Sequence, residues 1–379
     1  MNKAGEILGI EPEVAIPGGE VVIECRGLDT TEPSKCAVLI DGEPAPLVAL
    51  SPRRVLAIVP ELKRRNLGSE ISGSEGAEAD RVEGQPNTSP EALGGLSGGA
   101  AARMVELVLE GQGERSTPAN LIVGKRIAED LHPVTNPAFD PDDGSLFVTR
   151  SGSRGEELPV SLFRIDVDGE LTEFSGDITN PTGIAFNSDG QMFVTSRLEG
   201  NVYKVSPFKE AQPFARNLGV ATGIAFDRNG DMYVGDRTGT IFRVNEIGEE
   251  KIWAQADPSV SAYHLAWGPD DMLYMTGPTV TSFDSVRRID RDGNETTFYR
   301  GLGRPQGLAF DTDGNLYVAA TLRGRRGIVR ISPGGEQAEV FVAGMNLVGL
   351  AFSSLGELIV VSNDAVYALP LGMEGTLLT

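Results

Sequence analysis

Apolar and polar positions along this chain alternate in short runs of period two, the pattern of half-buried strands. The runs recur at a spacing of about 40 residues, the length of a propeller or solenoid unit. One phrase marks each copy: Asn136-Pro137-Ala138-Phe139, Gly183-Ile184-Ala185-Phe186, Gly223-Ile224-Ala225-Phe226, His264-Leu265-Ala266-Trp267, Gly307-Leu308-Ala309-Phe310 and Gly349-Leu350-Ala351-Phe352. A tight acidic turn follows, then a second strand such as Met192-Phe193-Val194 or Leu316-Tyr317-Val318. A third strand ends in an apolar–basic–apolar triplet, with Arg164, Lys204, Arg243, Arg288 and Arg330 at its centre; Tyr367-Ala368-Leu369 in the last copy lacks the basic residue. A fourth strand, for example Glu295-Thr296-Thr297-Phe298-Tyr299, completes the unit. Four alternating strands per repeat predict the blade of a β-propeller.

The sixth copy runs out after three strands, which would leave an unpaired edge. Lys125-Arg126-Ile127-Ala128-Glu129-Asp130-Leu131, ahead of the first copy, reads like the fourth strand of other units, such as Gln212-Pro213-Phe214-Ala215-Arg216-Asn217-Leu218. The expectation is that it pairs with the last unit and closes the ring.

Residues 7–60 differ: short apolar runs broken by Pro and Gly predict an antiparallel sandwich. Val21 to Cys25 forms a strand after Pro17-Gly18-Gly19; Ala37 to Ile40 and Leu47 to Leu50 flank Asp41-Gly42, a hairpin signal. Met104 to Glu110 and Asn120 to Val123 supply two later strands. Residues of about 62–102, rich in Gly, Ser and Glu, hold too little apolar surface to offset their ordering entropy and are expected to form a mobile insertion. Cys25 and Cys36 both point inward in this reading, as buried thiols in a reducing compartment or as a disulfide in an exported protein.

Pro12, Pro17-Gly18-Gly19, the strand Val21 to Ile23, Gly27 and Val59-Pro60 make the first segment resemble the IPT/TIG immunoglobulin-like domain. Pro181-Thr182-Gly183-Ile184-Ala185-Phe186 with Asp189-Gly190 makes the repeats resemble NHL-repeat and gluconolactonase-like (senescence marker protein type) propellers. The resulting fold class is all-β: an immunoglobulin-like β-sandwich over residues 1–123 and a six-bladed β-propeller over 124–379, closed by an N-terminal outer strand.

A net charge of −21 argues against nucleic acid and anionic membranes as partners, because both require clustered Lys and Arg. Without a run of roughly 18 apolar residues, a transmembrane helix is not expected. Met1-Asn2-Lys3-Ala4-Gly5-Glu6 leads into acidic residues with no apolar signal region, so a cytoplasmic location is expected unless a leader was removed.

The gluconolactonase resemblance implies a divalent cation, usually calcium, held by a Glu, an Asn and an Asp of innermost strands. The matching positions here are Thr135, followed by Asn136-Pro137; Thr222 and Tyr263 for the Asn; and Gln306 for the Asp. None is a carboxylate, so affinity for a hard cation should fall sharply. The acidic clusters Asp140-Pro141-Asp142-Asp143-Gly144, Asp227 to Asp231, Asp290 to Gly293 and Asp311 to Gly314 occupy hairpin positions, where Asp and Gly supply turn geometry. The chain has two histidines, His132 in a loop and His264 where sibling repeats carry Gly. The candidate binding constellation is Thr135, Asn136, Thr182, Thr222, Asp236, Tyr263, His264, Arg304 and Gln306, with Arg237 and Asn363 near it. This set is expected at the mouth of the central channel, each blade contributing one or two polar side chains.

Two functional readings follow. The leading one is a non-catalytic binding or scaffold protein without cofactor, taking a small molecule or a protein partner at the channel mouth. Its alternative is a metal-dependent hydrolase of the lactonase type, using Ca²⁺ through a rearranged ligand set.

Overall fold

The computed structural model describes residues 5–27, 33–62, 96, 102–109, 114–153 and 155–376. Among them the chain is all-β, with a lone 3₁₀ turn at Pro33–Lys35. The insertion expected at about 62–102 lies outside the described residues apart from Leu62, Leu96 and Ala102.

Six four-stranded antiparallel units occupy the repeat region among the described residues. Unit 2 is typical: Pro181–Phe186, Met192–Ser196, Asn201–Val205 and Ala211–Ala215, each paired with the next. Unit 6 comprises Leu347–Phe352, Glu357–Ser362 and Val366–Pro370, and its fourth strand is Lys125–Ala128. The register sets Lys125 opposite Ala368, Arg126 opposite Tyr367 and Ala128 opposite Val366, with a bulge at Ile127. This is the pairing expected for that segment.

One aromatic device joins successive units. The second-strand ring of each unit packs against a ring of its own fourth strand and against the first-strand ring of the next unit. Phe193 lies 5.1 Å from Phe214 and 5.4 Å from Phe226; Tyr317 lies 5.3 Å from both Phe341 and Phe352. Phe147, Tyr233 and Tyr274 repeat the arrangement. Each such pair adds about 0.5–1.5 kcal/mol beyond its area. At the junction of units 6 and 1 the central ring is replaced by Ile359, which shares a cluster with Ile127 and Phe139.

The heads of the inner strands touch, and hydrogen bonds pass from each unit to the next. Thr135 Oγ1 donates to Thr182 O at 2.6 Å, Thr195 Oγ1 to Thr222 O at 2.9 Å, and Tyr263 N to Thr222 Oγ1 at 3.0 Å. Thr276 Oγ1 donates to Gln306 O, Gly307 N to Val348 O at 3.0 Å, and Leu350 N to Asn136 Oδ1 at 3.1 Å, which reaches from unit 6 back to unit 1. The glycine of the repeated phrase belongs to this contact. A Cβ at Gly183 would collide with the Thr222 carbonyl oxygen, and one at Gly349 with the Thr135 carbonyl and the Asn136 backbone.

The N-terminal residues form two sheets across one core. Glu6–Glu11, Glu20–Arg26, Arg54–Ile58 and Leu47–Ser51 make the first; Ala119–Val123, Ala102–Leu109, Cys36–Ile40 and Glu43–Ala45 lie in the second. Ile23, Val55 and Cys25 of one sheet meet Val38, Ile40 and Leu121 of the other. Cys25 is buried, which pushes its thiol up, while Cys36 is half-buried at the same core. The second sheet continues into the repeats: Val14–Ala15 pairs in parallel with Ile122 and Val123 on one side and with Val342 and Ala343 of unit 5 on the other.

Gly183→Ala is expected to lower unfolding free energy by about 1–3 kcal/mol, the range for overpacking. Gly9→Ala, where nothing lies within 4 Å of the new carbon, should not. Urea titration of both proteins checks this, and equal losses would refute the role given to the inner-strand glycines.

Candidate functional site

A cavity of about 620 Å³ lies between the inner strands and is lined by residues of all six units. Its wall is made by the repeated phrase itself: Ala138, Ile184, Ile224, Leu265, Leu308 and Leu350 lie along it. At one end of the wall stand Thr135, Asn136, Tyr263 and His264; at the other stand Asp140 to Gly144, Asn187, Ser354 and Leu355. The first end is blind, because the glycine contacts and Thr hydroxyls draw the strand heads together there. Thr135, Tyr263 and His264 are all buried. The second end carries the exposed lining residues Pro141, Asp142, Asp143, Ser354 and Leu355 and is the open one. His264, expected at a mouth, is 3 % exposed and sits at the closed end instead. The tight inner-strand packing that the glycines permit is the physical reason.

The nine candidate residues divide accordingly. Thr135, Asn136, Tyr263 and His264 line the cavity; Thr182, Thr222, Asp236, Arg304 and Gln306 do not. Asn136 donates through Nδ2 to Leu308 O at 2.8 Å and accepts from Leu350 N, so it pins units 1, 5 and 6 together. Thr182 lends its carbonyl to Thr135, and Thr222 donates to Gly235 O at 3.1 Å. Asp236 accepts from Val220 N at 2.9 Å and Thr238 N at 3.1 Å, a turn-fixing role. Gln306 Nε2 reaches Leu347 O at 3.4 Å. Arg304 is exposed with a φ of 47°, as are Arg237 and Asn363 exposed outside the wall.

His264 is the anomaly. Its Nε2 is buried and has no hydrogen-bond partner among the described residues, and burial pushes its pKa down to about 3, so the ring is neutral. A neutral imidazole has one donor and one acceptor nitrogen, and leaving either buried and unpaired costs free energy. Tyr263 is different: burial pushes its hydroxyl up to about 12, and it donates to Asp257 O.

The open end was missed as a site because its residues read as turn formers. The turn role is real: Asp227 Oδ1 accepts from Asn229 N and Asp231 N, and Asp290 Oδ1 from Asp292 N and Asn294 N. The basic triplet residues reach such turns, Arg164 meeting Asp143 at 2.7 Å and Arg288 meeting Asp270 at 3.7 Å. Unit 1 carries an extra carboxylate, Asp142, which has no ionic partner among the described residues, and burial raises the pKa of neighbouring Asp140. Every charged residue that lines the cavity among the described residues is acidic: Asp140, Asp142, Asp143 and Glu357. Leu96 is seated at the wall too, its N–H donating to Glu357 Oε2 at 3.1 Å.

The positions that match the calcium ligands of gluconolactonases do not fit a hard divalent cation. Thr135 and Tyr263 spend their hydroxyls on backbone carbonyls, and Gln306 directs its amide nitrogen to Leu347 O. Among the described residues no group of three His, Cys, Asp or Glu side chains is arranged to hold a metal ion.

No family model matches the sequence, and no curated protein matches it. Solved structures do resemble it. An auxiliary nutrient binding protein from Bacteroides thetaiotaomicron is 14 % identical, with 98 % of each chain covered and a TM-score of 0.51. A gluconolactonase from Xanthomonas campestris is 13 % identical over 71 % of this chain and 90 % of its own, with a TM-score of 0.53. A calcium-binding protein, regucalcin, from Agrobacterium tumefaciens is 17 % identical over 66 % and 95 %, with a TM-score of 0.54. At these identities the likeness concerns the fold: an all-β chain akin to propeller-type proteins.

Two outcomes follow from the geometry. Asn136→Ala strands the Leu350 N–H and the Leu308 carbonyl at the junction of units 1, 5 and 6, and should cost about 1–3 kcal/mol in urea unfolding. For His264, the folded pKa lies below the ordinary value of 6.5, so the unfolded chain binds the proton first as pH falls. Its contribution to stability is complete above about pH 6.5 and is lost toward pH 3, at about 1.4 kcal/mol per pH unit. His264→Gln should therefore lose less stability than the parent between pH 7 and pH 5, measured by denaturant unfolding; parallel losses would remove His264 from the account.

Proposed function

We propose that this chain is a small-molecule binding protein, an immunoglobulin-like sandwich carrying a closed six-bladed propeller whose axial cavity receives the ligand. The observation that carries this reading is the cavity of about 620 Å³ that the inner strands of all six units enclose. Its volume falls in the usual range for small-molecule sites, and a mostly apolar wall with few polar groups is their usual chemistry. The full-length likeness to nutrient binding proteins supports binding as the role of this pairing of modules. The sandwich serves as a platform, and no catalytic group is assigned. The pairing of Lys125–Ala128 with the last strand and the hydrogen bonds between successive inner strands support ring closure.

A lactonase-type hydrolase is the second reading, favoured by the likeness to gluconolactonase and regucalcin structures. It requires calcium ligands other than Thr135, Tyr263 and Gln306. Elemental analysis of the purified protein, with lactone hydrolysis assayed with and without added calcium, separates the two.

The binding reading predicts ligands in a thermal-shift screen of a few hundred neutral and charged metabolites. A ligand at about 100 times its Kd stabilises by about 2.7 kcal/mol. Hits should lose most of their shift in His264→Phe, which puts a larger, apolar ring at that end of the cavity. A screen without hits, or hits indifferent to the substitution, would argue against the cavity as receptor.

A further inference from the structure

Two arginines of adjacent units stand together at the closed end of the ring. Arg197 and Arg237 follow the second strands of units 2 and 3, just beyond Ser196 and Asp236, which pair with the inner-strand heads Pro181 and Ala221. Their backbone N–H groups make the same contact in both units: Arg197 donates to Asn180 O and Arg237 to Val220 O, each at 3.2 Å. The turn after Arg197 touches the loop that Arg237 holds. Leu218 N donates to Gly200 O at 2.9 Å, and a Cβ at Gly200 would strike the Gly219 carbonyl oxygen. Neither arginine lines the axial cavity.

The chain has a net charge of −21, yet neither guanidinium has a carboxylate partner among the described residues. Arg197 is half-buried, and its Nη2 donates to Gly152 O at 3.0 Å. Arg237 is exposed, and its side chain makes no hydrogen bond or ion pair among the described residues. Burial, together with the charge of Arg237, lowers the pKa of Arg197, so the two cations feel each other. Neighbouring carboxylates are engaged elsewhere. Glu156 Oε2 accepts from Ser153 N at 2.8 Å, Glu199 accepts from the Tyr203 hydroxyl, and Asp236 accepts from Val220 N and Thr238 N. Like charges left together disfavour each other, and an anion shared between them turns that repulsion into attraction. A guanidinium offers a planar fork of N–H donors that matches the oxygens of a carboxylate or phosphate.

We propose that Arg197 and Arg237 form an oxyanion site on the outer side of the closed end, for a small molecule with a doubly charged carboxylate or phosphate headgroup. Arg197, steadied by Gly152 O, sets the position of the anion, and Arg237 meets it from the next unit. The acidic remainder of the chain repels long polyanions, so a small headgroup is the class that fits. This site is separate from the axial cavity and stands whether or not the cavity binds a ligand.

Calorimetric titration of the whole chain with succinate, with inorganic phosphate and with neutral succinamide tests the assignment. At least one dianion should bind tenfold or more tightly than succinamide, and the better of the two tells a dicarboxylate site from a phosphoryl site. Arg237→Gln changes an exposed side chain and should keep the parent's melting temperature while weakening that dianion at least tenfold. Arg237→Lys should recover part of the loss, because the charge stays and the fork goes. Arg323→Gln removes an exposed arginine of unit 5 and should leave the affinity unchanged. The dianion should also raise the melting temperature of the parent but not of Arg237→Gln. Binding of neither dianion, equal affinity in parent and Arg237→Gln, or an equal loss in Arg323→Gln would overturn the site and leave the cavity reading untouched.

Discussion

One antiparallel contact carries constraints out of proportion to its length. Lys125–Ala128 lies some 240 residues before Val366–Pro370 in the chain, yet the two strands pair along one edge. The loop they close is long, but closure entropy grows only with the logarithm of loop length. The contact supplies the outer strand that unit 6 lacks and covers an edge that would otherwise be open to pairing with another chain. It also continues directly from Ala119–Val123, and Gly124 N donates to Ala15 O at 2.9 Å, so the same stretch anchors the sandwich. The inner-strand contacts, and the cavity they surround, depend on the end units being held in this way.

Most of the fold was legible in the sequence because it is repeated. The Ala–aromatic phrase, the second-strand ring and the basic triplet each recur at fixed offsets, and repetition separates a structural signal from a local accident. Even the missing fourth strand could be sought, since Lys125 to Leu131 carries the residue pattern of its counterparts. The sandwich was readable from Pro17-Gly18-Gly19 and alternating strands. Its continuity with unit 5 was not, because Val14–Ala15 is two residues long and parallel pairing over so short a span has no period to detect.

The site was only partly legible, for a related reason. Residues at equivalent repeat positions could be aligned, but alignment says nothing about which end of a channel is shut. The glycines at the inner-strand heads were read as part of a phrase; only their contacts reveal that they close that end. His264 was recognisable as an exception to glycine, and its place in the wall agrees with that exceptional character. Asp142 was hidden among turn-forming acids, although it lines the cavity.

The strand Val14–Ala15, hydrogen-bonded on both sides, has a mechanical corollary. Two modules joined by a linker reorient freely, whereas here backbone pairing runs from the sandwich through Val342 and Ala343 into the fifth unit, with Ile16 buried among Leu347 and Leu350. Torque applied to the N-terminal module is thereby delivered to the sheets rather than absorbed by a hinge. The axis of the cavity is thus aimed in a fixed direction relative to the N-terminal sheets.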